Sequence, residues 1–395
     1  MRDISQPLPA PGQVNGRGRQ HQQPRPGRSY VGGRGQGSRA TAPPPLLPRD
    51  ILIPQPQPER QPQIKESQTN CARSQDGVIE ALENALGTAT TFEAGDLLRY
   101  SLPVFGYSYK RQDSVQLSEN VLRFKEHFGP QPSTVALVLN DLKAEYPNDF
   151  NIKDALVTFS WFKCYGTERT IAGPWDIGCL HTLRTTVKRY AKNIGSLKKY
   201  KIQFGDFEVG DIYPYTVDGV HYATNEFRLN PSAKWFDHKS HGAGVKYEFA
   251  MAVRSPRIVW MRGPFPASVS DITIFRGGTA EQDEEDWDKS SLYFATKALG
   301  NGAKGLADDG YKGEPDALLT WKEGQSKELR EFQMRGKNRE ESLYSRFKSW
   351  NILENRFRHG HGTDERMELH GHVMSAIAVI TQYDFENGNT PLEVR

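Results

Sequence analysis

Asp211-Ile-Tyr-Pro-Tyr-Thr-Val-Asp218-Gly219-Val220-His221 carries β-branched and aromatic side chains along an extended run, then a carboxylate and a glycine. Such residues favour a pleated, half-buried strand, and an Asp-Gly pair marks a turn. A second short run, Lys304-Gly-Leu-Ala-Asp308, ends in the same way and continues as Asp309-Gly310-Tyr311. A third acid, Glu341, lies on a stretch of helical period, Arg339-Glu-Glu341-Ser-Leu-Tyr-Ser-Arg346-Phe-Lys348-Ser-Trp350. Two acids at strand ends and one on a late helix are able to converge on one point. Gathered carboxylates do not stay ionised together without cations. A pair of divalent metals is the usual solution, and paired metals serve phosphodiester chemistry.

Around these runs the period is two from about residue 200. Tyr200–Phe204, Ile212–Val217, Lys246–Val253, Arg257–Met261, 304–308 and Ala317–Thr320 read as strands, with an acidic loop over 280–289. Helices follow over about 326–358 and 364–385. This order predicts an α/β (α+β) body, a mixed sheet with helices packed on it. Upstream the pattern is helical. Val78, Ile79, Leu82 and Leu86 space a short helix, Pro132-Ser133 starts another, and Asp154–Phe162 reads as a buried one. Thr167–Gly173, a break at Pro174–Gly178 and the basic helix Leu180–Lys192 resemble a helix-turn-helix, with Arg184, Lys188, Arg189 and Lys192 placed to meet DNA.

The chain has 395 residues, enough for two modest domains and a tail. Its mean hydropathy of -0.67 is low for one packed globule. Residues 1–75 are rich in Pro, Gln, Gly and Arg and are expected to be disordered. They hold eleven Lys and Arg against four acids, so they carry +7 of a total of +3 and leave the body at −4. A basic tail on a mildly acidic body suits a polyanion partner, although a solvated tail has the same composition. Cys71, Cys164 and Cys179 have neither metal spacing nor a paired framework, as in a reducing compartment. The apolar run Val373–Ile380 is too short to span a bilayer, and no membrane association is expected. The domains read as a 1–75 tail, a helical region over 76–200 and a catalytic body over 201–390.

Several stretches together resemble the DDE-superfamily endonuclease domain of PIF/Harbinger-type transposases. They are Thr216-Val-Asp218-Gly-Val-His221, Ile258-Val-Trp-Met-Arg-Gly263-Pro-Phe-Pro-Ala267, Asp271-Ile-Thr-Ile-Phe275-Arg276, Ala307-Asp308-Asp-Gly310-Tyr311, and Glu341 with Arg346-Phe-Lys348-Ser-Trp350. The likeness covers roughly 110–390. It implies an RNase H-like fold, a five-stranded mixed sheet whose central strand bears the first acid. It also implies Asp218, Asp308 and Glu341 as catalytic metal ligands and two Mg²⁺ or Mn²⁺ ions as cofactors. DNA is the implied substrate. A separate Myb-like DNA-binding protein, homo-oligomerisation and a nuclear location are compatible with it.

Asp309 leaves the register of the second acid open, and Glu340 that of the third. A slip of one along a strand turns a side chain to the other face, so only one of Asp308 and Asp309 is able to enter the site. Asp271 is a fourth candidate ligand or a helix cap. Arg346 and Lys348 are candidates for DNA phosphate. His359, His361, His370 and His372 space like a metal tract, with the family's Arg-His segment as the competing account. The functional reading is a metal-dependent DNA endonuclease or transposase. Its alternatives are a domesticated, catalytically silent DNA- or partner-binding descendant and, last, an Arg/Gly-tailed RNA binder.

Overall fold

The strand that starts at Tyr215 lies at the centre of a sheet. β1 (Tyr215–Ala223) pairs antiparallel with β3 (Gly242–Ala252) along its whole length, from Tyr215 opposite Ala252 to Ala223 opposite Gly244. On its other side it pairs in parallel with β5 (Gly305–Ala307), and only at Thr216 and Val217. β6 (Leu318–Leu319) extends the parallel side, while β2 (Phe236–Asp237) and β4 (Ile258–Pro266) pair antiparallel with β3. The result is a six-stranded mixed sheet with flanking helices. The resemblance implies five strands, the number of sequence runs that do form strands here once Tyr200–Phe204 is left out. The extra one is the two-residue β2, too short to show alternation. Tyr200–Phe204 is not a strand: α8 (Lys198–Lys201) takes its start, directly after α7 (Leu180–Ser196), and Leu197 and Ile202 are the side chains buried there.

The computed structural model describes residues 77–107, 114–208, 211–225, 233–237 and 241–394. The Pro/Gln/Gly/Arg-rich stretch 1–75 lies outside them. The described residues all fall in one compact unit, Pro62–Arg395.

Alternation on β1 and β3 buries both faces of the sheet. Tyr215 and Val217, with Ala250 and Ala252, enter a core shared with Phe275, Leu292 and Tyr311. Those last three come from α9 (Asp271–Arg276), α10 (Leu292–Leu299) and the turn after β5. Val220 and Tyr222, with Val245, Tyr247, Phe249 and Met251, enter the larger core on the other face. That face carries α11 (Lys327–Lys348), α12 (Asn351–Glu354) and α13 (Thr363–Glu386). The helices of residues 76–200 contribute to the same core. They are α1 (described over 77–88), α2 (Ala94–Val104), α3 (Ser114–Phe128), α4 (Pro132–Glu145), α5 (Ile152–Cys164), α6 (Glu168–Ala172) and α7. Leu98, Phe128, Leu139, Phe159 and Tyr190 join Phe347 and Ile377 in it. One apolar core thus runs across the boundary expected at residue 200.

α7 packs against α13 and buries Leu183, Val187, Tyr190 and Ile194. Before it, α6 has only 5 residues. The segment expected to resemble a helix-turn-helix is thus a short helix, a turn and a long helix whose apolar side lies in the core of the bundle. The apolar run Val373–Ile380 lies in the buried centre of α13. Among the described residues no helix is long and apolar enough to cross a membrane.

Candidate active site

Asp218 is not at the end of its strand. β3 goes on supplying hydrogen bonds to β1 as far as Ala223, but β5 leaves the sheet after Ala307. The parallel side therefore opens beside Asp218, and Asp218 and Asp308 follow the last paired residues, Val217 and Ala307. Crevices at the carboxyl ends of parallel strands are where open α/β sheets bind ligands. Each acid is oriented by a backbone N–H just downstream. Gly219 N donates to Asp218 Oδ1 at 2.7 Å, and Gly310 N to Asp308 Oδ1 at 2.8 Å. The hydroxyl of Tyr344 on α11 donates to the Asp218 carbonyl at 2.9 Å.

The third acid brought to this place is Asp271, the first residue of α9. It is not the helix cap. Ser270 fills that role, its hydroxyl accepting from Thr273 N at 3.3 Å, which leaves the Asp271 carboxylate for the crevice. A Cβ on Gly219 would stand 2.4 Å from Asp271 Oδ1. A Cβ on Gly310 would stand 3.0 Å from both Asp271 Oδ2 and Asp308 Oδ1. The glycines that follow the first two acids are thus the clearance into which the third carboxylate fits.

The electrostatic consequence falls on Asp218. Burial pushes its carboxyl up to about 7, with Asp308 and then Asp271 adding to the rise against the opposing Gly219 N–H and Lys337. Lys246 Nζ lies 3.1 Å from Asp271 Oδ1 and donates to the Val269 carbonyl at 2.8 Å. Behind Asp271, burial pushes Glu248 up to about 8. Its Oε2 accepts from Trp260 Nε1 at 3.0 Å, while its Oε1 has no hydrogen-bond partner among the described residues. The buried hydroxyl of Tyr311 likewise has none. Lys246, Glu248 and Lys337 were not singled out from the sequence. For Glu248 a signal existed: a carboxylate within the apolar run Lys246–Val253, on a strand buried on both faces.

The two open registers have physical answers. Asp309 is exposed and pairs with Lys312 at 3.1 Å, whereas Asp308 faces Asp271. Glu340 is fully buried behind β1, accepts a hydrogen bond from the Thr216 hydroxyl, and is held well above the carboxylate range by burial. Glu341 is exposed. It continues the helical stripe Arg330, Met334 and Lys337, spaced by four and three, which lines a cavity of about 310 Å³ over Asp218 and Asp308. Among the described residues no three acidic, His or Cys side chains surround one point at ligating distance. Asp218, Asp308 and Asp271 are gathered, and Glu341 is not among the residues that line the cavity.

Most of the expected DNA-binding cations are engaged elsewhere. Arg184 makes two 2.7 Å bonds to Glu168, Lys188 pairs with Glu365, and Arg189 meets Asp154 at 2.8 Å. Arg346 is half-buried, donates to the Thr390 carbonyl at 2.8 Å and lies over Phe385, with Asp384 3.6 Å away. Lys192 and Lys348 are exposed. The histidines are dispersed. His359 packs among Trp161, Tyr165 and Phe357, and His370 is buried with its Nδ1 2.7 Å from the Tyr247 hydroxyl. Burial holds them down to about 4 and about 3 respectively.

No protein-family model matches this chain, and no curated protein or solved structure is found to be similar to it.

Proposed function

We propose that this chain is a metal-dependent DNA endonuclease of the RNase H-like kind, resembling PIF/Harbinger-type transposases. The observation that carries the reading is the convergence of Asp218, Asp308 and Asp271 where β5 leaves β1, with Asp218 pushed up to about 7 beside them. Three carboxylates are a hard-oxygen donor set, suited to Mg²⁺ or Mn²⁺ rather than to a soft metal. Asp271 Oδ1 accepts no hydrogen bond among the described residues, its one close charge being Lys246 Nζ at 3.1 Å, and the two glycines make the room in which its carboxylate sits. The chemistry of this donor set suits divalent ions, although the three carboxylates do not surround one point at ligating distance in this structure. Asp218, Asp308 and Asp271 would hold them, with Glu341 joining from α11. When bound, such ions polarise a phosphodiester and stabilise the attacking and leaving oxygens of an in-line displacement.

The chain's own groups do the rest. The backbone N–H groups of Gly219 and Gly310 hold the carboxylates in place, and Tyr344 ties α11 to the carbonyl of the first acid. Arg330 and Lys337 on the cavity wall offset phosphate charge. DNA as partner and a nuclear location follow from this reading. Association with a second DNA-binding protein and homo-oligomerisation are compatible with it.

A nicking assay on supercoiled DNA with Mg²⁺ or Mn²⁺ tests the proposal. The parent chain nicks, Asp308→Asn does not, and Asp309→Asn nicks nearly as well as the parent because that carboxylate faces Lys312. Nicking by Asp308→Asn at the parent rate refutes the assignment. One observation favours a second reading, a silent DNA- or partner-binding descendant: Lys246 already neutralises Asp271. A parent chain that never cuts, whatever metal, end sequence or partner protein is added, would leave that reading as the better one.

A further inference from the structure

Next to the acids the cavity changes character. Trp321 follows β6 and Met334 lies on α11, and both are large apolar side chains left open to solvent, 46% and 57% exposed. Both line the same cavity of about 310 Å³ as Asp218 and Asp308. Arg330 and Lys337 stand on the same wall, the Arg330 guanidinium 5.9 Å from the centre of the Trp321 ring. Exposed large apolar groups confined to a cleft mark a binding surface. A purely apolar ligand would leave the two cations and the acidic floor unmatched. A free phosphate would leave the ring and the thioether unused.

We propose that the Trp321–Met334 wall is a seat for one unstacked nucleobase of the strand being cut. The base lies on the indole, its neighbouring phosphates meet Arg330 and Lys337, and the reacting phosphodiester is over Asp218 and Asp308. Every base has a π-face, so such a seat binds without reading sequence. The proposal rests on the endonuclease reading, which it deepens by specifying locally unpaired DNA as the form bound at the site.

The test is binding, read by fluorescence anisotropy with a labelled short oligothymidylate and with an abasic oligomer of the same length. Full-length Asp308→Asn protein is the background, so the result does not depend on cutting. Trp321→Ala is expected to weaken the oligothymidylate by about 5- to 150-fold, the range for loss of one base–aromatic stack. It should leave the abasic oligomer within about twofold, and Trp321→Phe should recover most of the loss. Trp321 is half exposed in a loop, so the fold should tolerate the change, and an unaltered thermal melt checks this. Equal affinity for oligothymidylate with and without Trp321, or an equal loss for both oligomers, overturns the proposal. So does a change of oligomeric state with no change in binding, since the wall would then be a contact between copies. A parent chain that binds the base through Trp321 yet never nicks DNA would refute the endonuclease reading and leave the base seat standing.

Discussion

Metal binding at this site should release a proton in the acid range and almost none above it. Asp218 in the metal-free protein titrates at about 7, mainly because it is buried and then because Asp308 is beside it. A metal ligand must be deprotonated. At pH 6 about nine-tenths of Asp218 carries a proton, so binding a divalent ion releases about 0.9 proton, and at pH 8 about 0.1. The apparent affinity should therefore rise about tenfold between pH 6 and pH 8, close to 1.4 kcal/mol, and level off above. Titration calorimetry with Mg²⁺ or Mn²⁺ in buffers of different ionisation enthalpy measures both quantities. The stability of the metal-free protein should follow the same group. Its folded pKa lies above the unfolded value of 3.8, so its favourable contribution is present below about pH 4 and is lost as pH rises through about 7. The full loss is at most about 4 kcal/mol. Asp218→Asn should bind no metal, release no proton, and make the metal-free protein more stable at pH 8. A pH-independent affinity, or parent-like metal binding by Asp218→Asn, would sink the reasoning.

The remaining expectations concern neighbours of that carboxylate. Gly219→Ala places a methyl 2.4 Å from Asp271 Oδ1, so Asp271 has to move. Metal affinity should fall at least tenfold in the same calorimetric titration, about 1.4 kcal/mol, with the fold retained. Burial raises Glu340 well above the carboxylate range and favours its neutral form, which a glutamine imitates, so Glu340→Gln should change stability by less than about 1 kcal/mol and keep nicking activity. Glu341→Gln should lose nicking without loss of stability, and the opposite pattern would transfer the role to Glu340. Among the basic residues of α7, Arg184→Ala should change denaturant melts little and leave the salt slope of DNA binding nearly unchanged, because Arg184 is already paired with Glu168. Lys192→Ala should lower that slope by about one if α7 touches phosphate. An unchanged slope would remove α7 from the DNA interface.

What was legible in the sequence was local, and what was not depended on distant partners. The alternation from Asp211 to Val217 and the Asp-Gly pairs located β1, β5 and the first two acids, because strand period and turn chemistry are short-range properties. The end of the first strand was misplaced at Asp218, since β1 runs on to Ala223. A strand's length depends on its neighbours, here β3 on one side and the short β5 on the other. The basic face of α7 was visible, but its counter-charges were not. Glu365 is 177 residues from Lys188, and no window of sequence brings them together.

The glycines carry the sharper lesson. Gly219 and Gly310 were read as turn residues that mark where a strand stops. Gly219 lies within β1, and neither glycine has a left-handed backbone that would require it. Their missing side chains are what matters, because Asp271 occupies the space next to both. An Asp-Gly pair therefore has two physical explanations, conformational freedom in a turn and clearance for a third group. Only the second implies an approaching side chain. Asp271 was in view as a candidate, but it lies 52 residues beyond Gly219 and nothing local connects them. The link is tertiary: α9 packs against β3 and the turn after β5, with Ser270 providing the cap. A cap at Ser270 rather than Asp271 is thus part of the site's construction. It leaves a carboxylate at the first turn of a helix with no capping duty, directed at two acids whose following residues leave room for it.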